Sequence, residues 1–227
     1  MTMLFAAAAV FVLMHLLIAG TRVRAGIVRV IGENAYMGLF SLASLGAIVW
    51  LSMAYGAARG EGAVWWAAPA EVGHWLQAGI QLVALLFVVP GLLSPNPTSV
   101  KQEGALGRPV TGILRITRHP FLWGVAIWAA GHLLVNGDTP SVVLFGSMAL
   151  LAISGTYSID AKRRAKLGAD YDAFVAQTAN IPFAAVVHGR QPFRLLEIGW
   201  WRLLAAVAVW AALLWGHGMI FGVPALP

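Results

Sequence analysis

The 227-residue chain has no cysteine. That absence removes disulfides, thiolate nucleophiles, iron–sulfur clusters and thiolate metal sites, and it leaves the redox compartment unmarked. Charge is scarce too: 11% of the residues are Asp, Glu, Lys or Arg, against about a quarter in ordinary globular domains. Only nine residues are acidic, nearly all of them between apolar runs. No Ser-His-Asp set, close carboxylate pair or glycine-rich phosphate loop is present. The stretches "GLFSLASLG" and "GVAIWAAG" are small-residue packing faces, not nucleotide loops. No internal repeat is visible, and no low-complexity tract beyond Ala6–Ala9.

What is present is apolar. Hydrophobic residues make up 59% of the chain, there are ten tryptophans, and the mean hydropathy is +0.78. The bilayer is the solvent these numbers imply. A spanning helix needs about 20 apolar residues, and six stretches approach that length: 3–20, 34–56, 71–93, 120–136, 139–159 and 201–222. The expected fold is all-α, a polytopic membrane helix bundle of six transmembrane helices plus a cytoplasmic amphipathic segment. It forms a single integral membrane domain over 1–227, with the cytoplasmic segment at 160–200. The first stretch lacks a basic leader, and Arg22 and Arg24 follow it, so it is expected to be a retained helix and not a signal peptide.

The net charge is +6, which in a soluble protein would raise nucleic acid as a partner. Its distribution gives another explanation. Thirteen of the fifteen basic residues fall after stretch one, between stretches three and four, or between stretches five and six, and Arg202 stands at the entry of stretch six on that same side. All three places lie on one side of a six-span topology, and only Arg59 lies on the other. The positive-inside rule makes the basic side cytoplasmic and puts both termini outside. The expectation is therefore a multi-pass protein of the bacterial inner membrane, in contact with membrane lipid and not with nucleic acid. The oligomeric state is not readable.

Along the chain, a basic loop is expected after the first span. Trp65, Trp66 and Pro69 mark an interfacial belt in the outer loop. Prolines in "PGLLSPNPTSV" stop the third span. Pro120 suits the first turn of the fourth span, where its missing N–H would be unpaired anyway. "NGD" (Asn136–Asp138) is expected to make a tight hairpin into the fifth. Tyr171, Phe174 and Val175 share one face of a short surface helix, and "IPFAAVV" (Ile181–Val187) is apolar but too short to span.

Six histidines form the reactive inventory: His15, His74, His119, His132, His188 and His217. An ionisable group inside a span is a functional candidate by default, because leaving it unpaired is costly. His188 is in a loop and is expected at the surface. Imidazole is a standard axial ligand of haem iron, and a bis-histidine haem suits a cysteine-free helical bundle. The competing reading is that each histidine hydrogen-bonds a neighbouring helix. His119 and His132 are about 20 Å apart on one helix and cannot share a metal. Depth alone pairs His74 with His132, whereas His15 and His132 differ by roughly 10 Å in level. Arg115, Arg118 and His119 sit at the mouth of the fourth span, where guanidinium groups could hold haem propionates or anchor topology.

The run "LRITRHPFLWGVAIWAAGHLLVNGD", together with "IGENAYMGLFSLASL", "GH" at His74 and the tail "DAKRRAKLGADYDAFVAQTANIPFAAVVHGRQ", resembles the NnrU group of bacterial membrane proteins. That group includes the plant and cyanobacterial 15-cis-ζ-carotene isomerases, and the tail looks especially like the isomerase branch. The resemblance implies haem b, its iron held by His15 and His132 acting as catalytic and metal-ligating residues. His74 remains the alternative second ligand. In the isomerases a cysteine lies three residues before the second histidine. Here that position is Ala129, so no thiolate ligand is available. A more distant resemblance, through "RHPFLWG" and "LGADYDAF", is to membrane methyltransferases that use S-adenosylmethionine. Where those enzymes have tandem glutamates, this chain has Ile159-Asp160.

Three functions follow as expectations. The first is a haem-dependent cis-trans isomerase of an apolar polyene. The second is a non-catalytic haem protein serving nitrogen-oxide metabolism, electron transfer or sensing. The third is a membrane methyltransferase.

Overall fold

The computed structural model describes residues 1–19 and 21–226, and of residue 70 the backbone alone. The chain is helical, as its composition requires. Helix α1 (Thr2–Leu13) runs on into a π-helical turn (Met14–Ala19), followed by α2 (Arg22–Ile31) and α3 (Glu33–Ala58). A short strand β1 (Val64–Ala67) precedes α4 (Ala70–Leu93) and α5 (Pro120–Val135). Strand β2 (Asn136–Asp138) leads into α6 (Thr139–Leu167), α7 (Ala169–Gln177), the single turn α8 (Ala184–Val187) and α9 (Trp200–Phe221).

Among the described residues, five helices are long and apolar enough to cross a membrane; α5 is apolar but shorter. In lipid the helix is the one open-ended structure that satisfies its own backbone. The outward faces agree with this. Leu39, Leu42, Leu45 and Met53 of α3 are exposed, an arrangement costly in water and ordinary in hydrocarbon.

The chain divides into two compact units, residues 1–68 with 132–151, and residues 69–131 with 152–227. In the first, α1 packs along α3, burying Leu4, Ala7, Ala8 and Phe11 on one side and Ala47, Leu51 and Ala54 on the other. Small side chains let two helices approach where lipid supplies no hydrophobic drive. In the second, α4 packs along α9, and the indole N–H of Trp210 donates to the carbonyl of Ala78 at 2.9 Å. Gly124 and Gly131 bring α5 against α4. A Cβ at Gly124 would lie 2.8 Å from the carbonyl oxygen of Ala84, and one at Gly131 2.6 Å from the Ile80 side chain.

Three expectations need correction. The basic loop after the first span is the helix α2, capped by the Thr21 hydroxyl on the Val23 N–H at 3.2 Å. Its apolar Val23, Ile27 and Val30 alternate with arginines at helical spacing, which makes an interfacial helix. The expected end of the first span at residue 20 lies outside the described residues. "NGD" is not a bare hairpin but a strand, antiparallel to β1, with Val64 opposite Asp138 and Ala67 opposite Asn136. Trp66 lies across it and donates its indole N–H to the Leu133 carbonyl at 2.7 Å, giving a helix-end acceptor the partner it needs. Finally, α6 runs to Leu167, beyond the expected 159. Asp160 does not break the helix because its carboxylate is paired within the fold.

Candidate functional site: an intramembrane histidine and a buried carboxylate cluster

His15 lies in the π-helical turn. Such a turn holds an extra residue, re-aims the side chains it carries, and occurs often at functional sites. The His15 Nδ1 is 2.7 Å from the carbonyl oxygen of Phe11. A carbonyl can only accept, so Nδ1 carries the proton and Nε2 keeps its lone pair. That lone pair faces the Ser44 hydroxyl of α3 at 2.9 Å. Phe11 and Phe40 pack against the ring with centroids at 4.6 and 5.3 Å. An imidazole held by N–H to a carbonyl on one nitrogen, with the other presented as a base, has the arrangement typical of metal-ligating histidines.

His132 is in the same unit. Its ring stacks on Phe145 of α6 at 4.4 Å and 16°. Phe145 in turn meets Tyr55 of α3, ring centroids 6.0 Å apart. Ser44 and Tyr55 are eleven residues apart in α3, about 16 Å of helical rise. His15 thus meets Ser44 of α3, and His132 meets Phe145 of α6. His74, the alternative partner, belongs to the second unit. Its Nδ1 is buried with no hydrogen-bond partner among the described residues, and so are both polar atoms of Gln77 one turn on.

At the N-terminal end of α5 a second polar site closes on Asp160. The Arg118 guanidinium donates Nε to Oδ1 at 3.0 Å and Nη2 to Oδ2 at 2.5 Å. His119 Nε2 meets Oδ1 at 2.8 Å, and the Tyr171 hydroxyl of α7 donates to the same oxygen at 2.6 Å. Burial holds the His119 pKa below its usual value despite the carboxylate. The ring is therefore neutral near pH 7, donating from Nε2 and leaving Nδ1 as a buried acceptor with no partner among the described residues. Burial, followed by the bond to Asp160, raises the Tyr171 pKa. The backbone is held as well. Asn96 Nδ2 and Thr98 Oγ1 both donate to the Arg118 carbonyl, at 3.1 and 2.9 Å, and the Arg118 N–H donates to Ala179.

Arg118 and His119 were expected to meet an anionic group, with a haem propionate as the candidate. The anion they meet is Asp160, brought there by the extension of α6. Arg115 likewise pairs within the chain, with Glu197 at 2.7 Å and with Gln191. Both guanidinium groups are engaged by carboxylates of the chain itself. His188 is exposed, as expected, its Nδ1 on the Ala184 carbonyl at 2.6 Å. His217 bonds the Val223 carbonyl at 2.7 Å. Among the described residues, no group of three His, Asp or Glu side chains gathers as a metal site.

Asp160, Tyr171 and Ser44 were not singled out as site residues. Asp160 had a signal, an acidic residue closing an apolar run before a basic one. Tyr171 was read as part of an apolar face, and Ser44 as a small packing residue.

Fold and site together define a mainly helical protein of the membrane type, with histidines on its apolar helices. The chain belongs to the NnrU protein family, whose model matches residues 3–225. It is 28% identical over 166 residues to the chloroplastic 15-cis-zeta-carotene isomerase of Zea mays, covering 72% of this chain and 45% of the relative. The protein of the same name from Arabidopsis thaliana is 29% identical over 166 residues, with the same coverage. The chain thus spans under half the length of the curated relatives it matches. No solved structure matches.

Proposed function

We propose that this protein is an isomerase of a cis double bond in an apolar polyene, dependent on haem b. The observation that carries the reading is His15. Its tautomer is locked by the Phe11 carbonyl and its Nε2 lone pair is presented among aromatic rings inside a span. The names of the relatives supply the substrate class. Bound haem would supply an iron centre able to act on a polyene without proton transfer.

The chain's own residues have defined tasks in this reading. His15, whose Nε2 now faces Ser44, would hold the iron. Phe11 keeps the ring in the correct tautomer. His132, stacked on Phe145, is the proposed second ligand, and His74 is its alternative. Phe40, Phe145 and Tyr55 provide an apolar, aromatic environment that suits a polyene and excludes water. The basic side is proposed to face the cytoplasm, leaving both termini outside. A cytoplasm-only reporter fused to the C-terminus should then give no signal.

The test is the visible spectrum of the purified protein, oxidised and reduced, followed by turnover of 15-cis-ζ-carotene under reducing conditions. A Soret band that His15→Ala abolishes, together with turnover, is the expected result. A Soret band without turnover would leave a non-catalytic haem protein. No Soret band after haem reconstitution overturns the reading, and the histidines become interhelical hydrogen-bonding groups.

A further inference from the structure

A cleft of about 280 Å³ opens between the loop after α4 and the start of α9, lined by Ser94, Pro95, Arg108, Thr111, Glu197 and Arg202 among others. A shallower groove shares Ser94, Pro95 and Arg108 and continues to Leu92 and Leu93, the exposed last residues of a candidate span. The polar cleft is thus continuous with an apolar helix surface.

The electrostatics of the cleft favour an anion. Its one carboxylate, Glu197, is neutralised by Arg115 at 2.7 Å and Arg194 at 3.2 Å. Those hydrogen bonds, the one from Arg115 foremost, depress its pKa. Arg202 is fixed in place, donating Nη1 to the Ile198 carbonyl at 2.9 Å and lying over the Trp201 ring at 4.6 Å. Arg108 is exposed, and its side chain makes no hydrogen bond or ion pair among the described residues. The cleft therefore carries excess positive charge and one guanidinium with its donors unspent. Leu196, Trp200 and Trp201 on the rim are exposed, an aromatic belt of the kind that sits at the headgroup level.

We propose that this cleft binds the phosphate headgroup of an anionic phospholipid, with Arg108 as the group that recognises it. Arg108 reaches the phosphate with two parallel N–H donors. Arg202 adds charge from a fixed position, and the acyl chains lie along Leu92, Leu93 and Trp200. A free anion could use the same donors, but it would have no use for the apolar groove that leaves the cleft.

The experiment uses the full chain in detergent, titrated with phosphatidylglycerol, phosphatidylcholine or inorganic phosphate and read by native mass spectrometry. The expected result is retention of phosphatidylglycerol over phosphatidylcholine, weakened about tenfold by Arg108→Ala, since one charge-assisted hydrogen-bonding group is lost. Arg22→Ala, which removes an equal charge from α2, should leave retention unchanged. Equal retention by Arg108→Ala and the parent chain would overturn the proposal. So would equal loss in Arg22→Ala, or displacement by inorganic phosphate at concentrations comparable to the lipid. Because Arg108 is exposed, the variant is expected to keep the parent's melting temperature, so reduced retention cannot be ascribed to misfolding.

Discussion

Two polar sites of the protein, one at Asp160 and one at His15, are treated in opposite ways. Around Asp160, Arg118, His119 and Tyr171 converge on one carboxylate. Around His15 a single hydroxyl meets the basic nitrogen. A buried charge left without partners is so unfavourable that it must be saturated, and a saturated group has nothing left to offer a ligand. A neutral imidazole can afford a weak partner, because a serine hydroxyl is easily exchanged for something stronger. The Asp160 cluster therefore reads as a clasp that fixes α5, α6 and α7, whereas His15 is the position that the proposed function uses.

The harshest way to break that contrast is to remove the carboxylate. Asp160→Ala leaves the Arg118 cation buried and unpaired, and the expected loss is about 3–5 kcal/mol, seen as a large fall in melting temperature in detergent. A near-parental melting temperature would mean that the cluster is not a clasp. His15→Ala, by contrast, should abolish the proposed cofactor's absorbance with far less effect on melting, a separation that a purely structural histidine would not give. Ser44→Ala sharpens the point. It removes one neutral hydrogen bond worth about 1 kcal/mol, and it should leave the absorbance in place, since the serine is displaced by the ligand.

A smaller effect concerns pH. His119 has a folded pKa below the ordinary 6.5 because it is buried. As pH falls below 6.5 the unfolded chain therefore takes up a proton before the folded one does, so stability is complete above that pH and declines beneath it. The parent should lose more melting temperature between pH 7.5 and 5.5 than His119→Gln. Equal slopes would show that His119 is not held neutral. Smallest of all is Asp172→Ala. It removes the exposed pair with Arg164 at 2.7 Å and should change neither melting nor absorbance, because water screens such pairs.

Much of the fold was legible because a bilayer makes strict demands. Runs such as 71–93 and 201–222 could only be helices, and the structure gives Ala70–Leu93 and Trp200–Phe221. Arg118 and His119 could also be picked out as needing an anionic partner. The identity of that partner was hidden, since Asp160 lies 42 residues away from Arg118 and nothing in its neighbourhood says which helix it will face. The π-helical turn at His15 was hidden too, because "MHLLIA" has the composition of any apolar helix.

What the sequence determined alone is therefore what depends on local chemistry: membrane spans, helical content, the absence of thiolate ligands and the histidines worth suspecting. Tertiary structure decided which polar groups meet. It closed Asp160 with Arg118, His119 and Tyr171, turned Asn136–Asp138 into a strand against Val64–Ala67, and set His15 against Ser44 of α3 and His132 against Phe145 of α6. The physical reason is that hydropathy is summed along the chain, whereas a hydrogen bond needs two atoms within about 3 Å of each other, and only the packing of helices distant in sequence brings such atoms together.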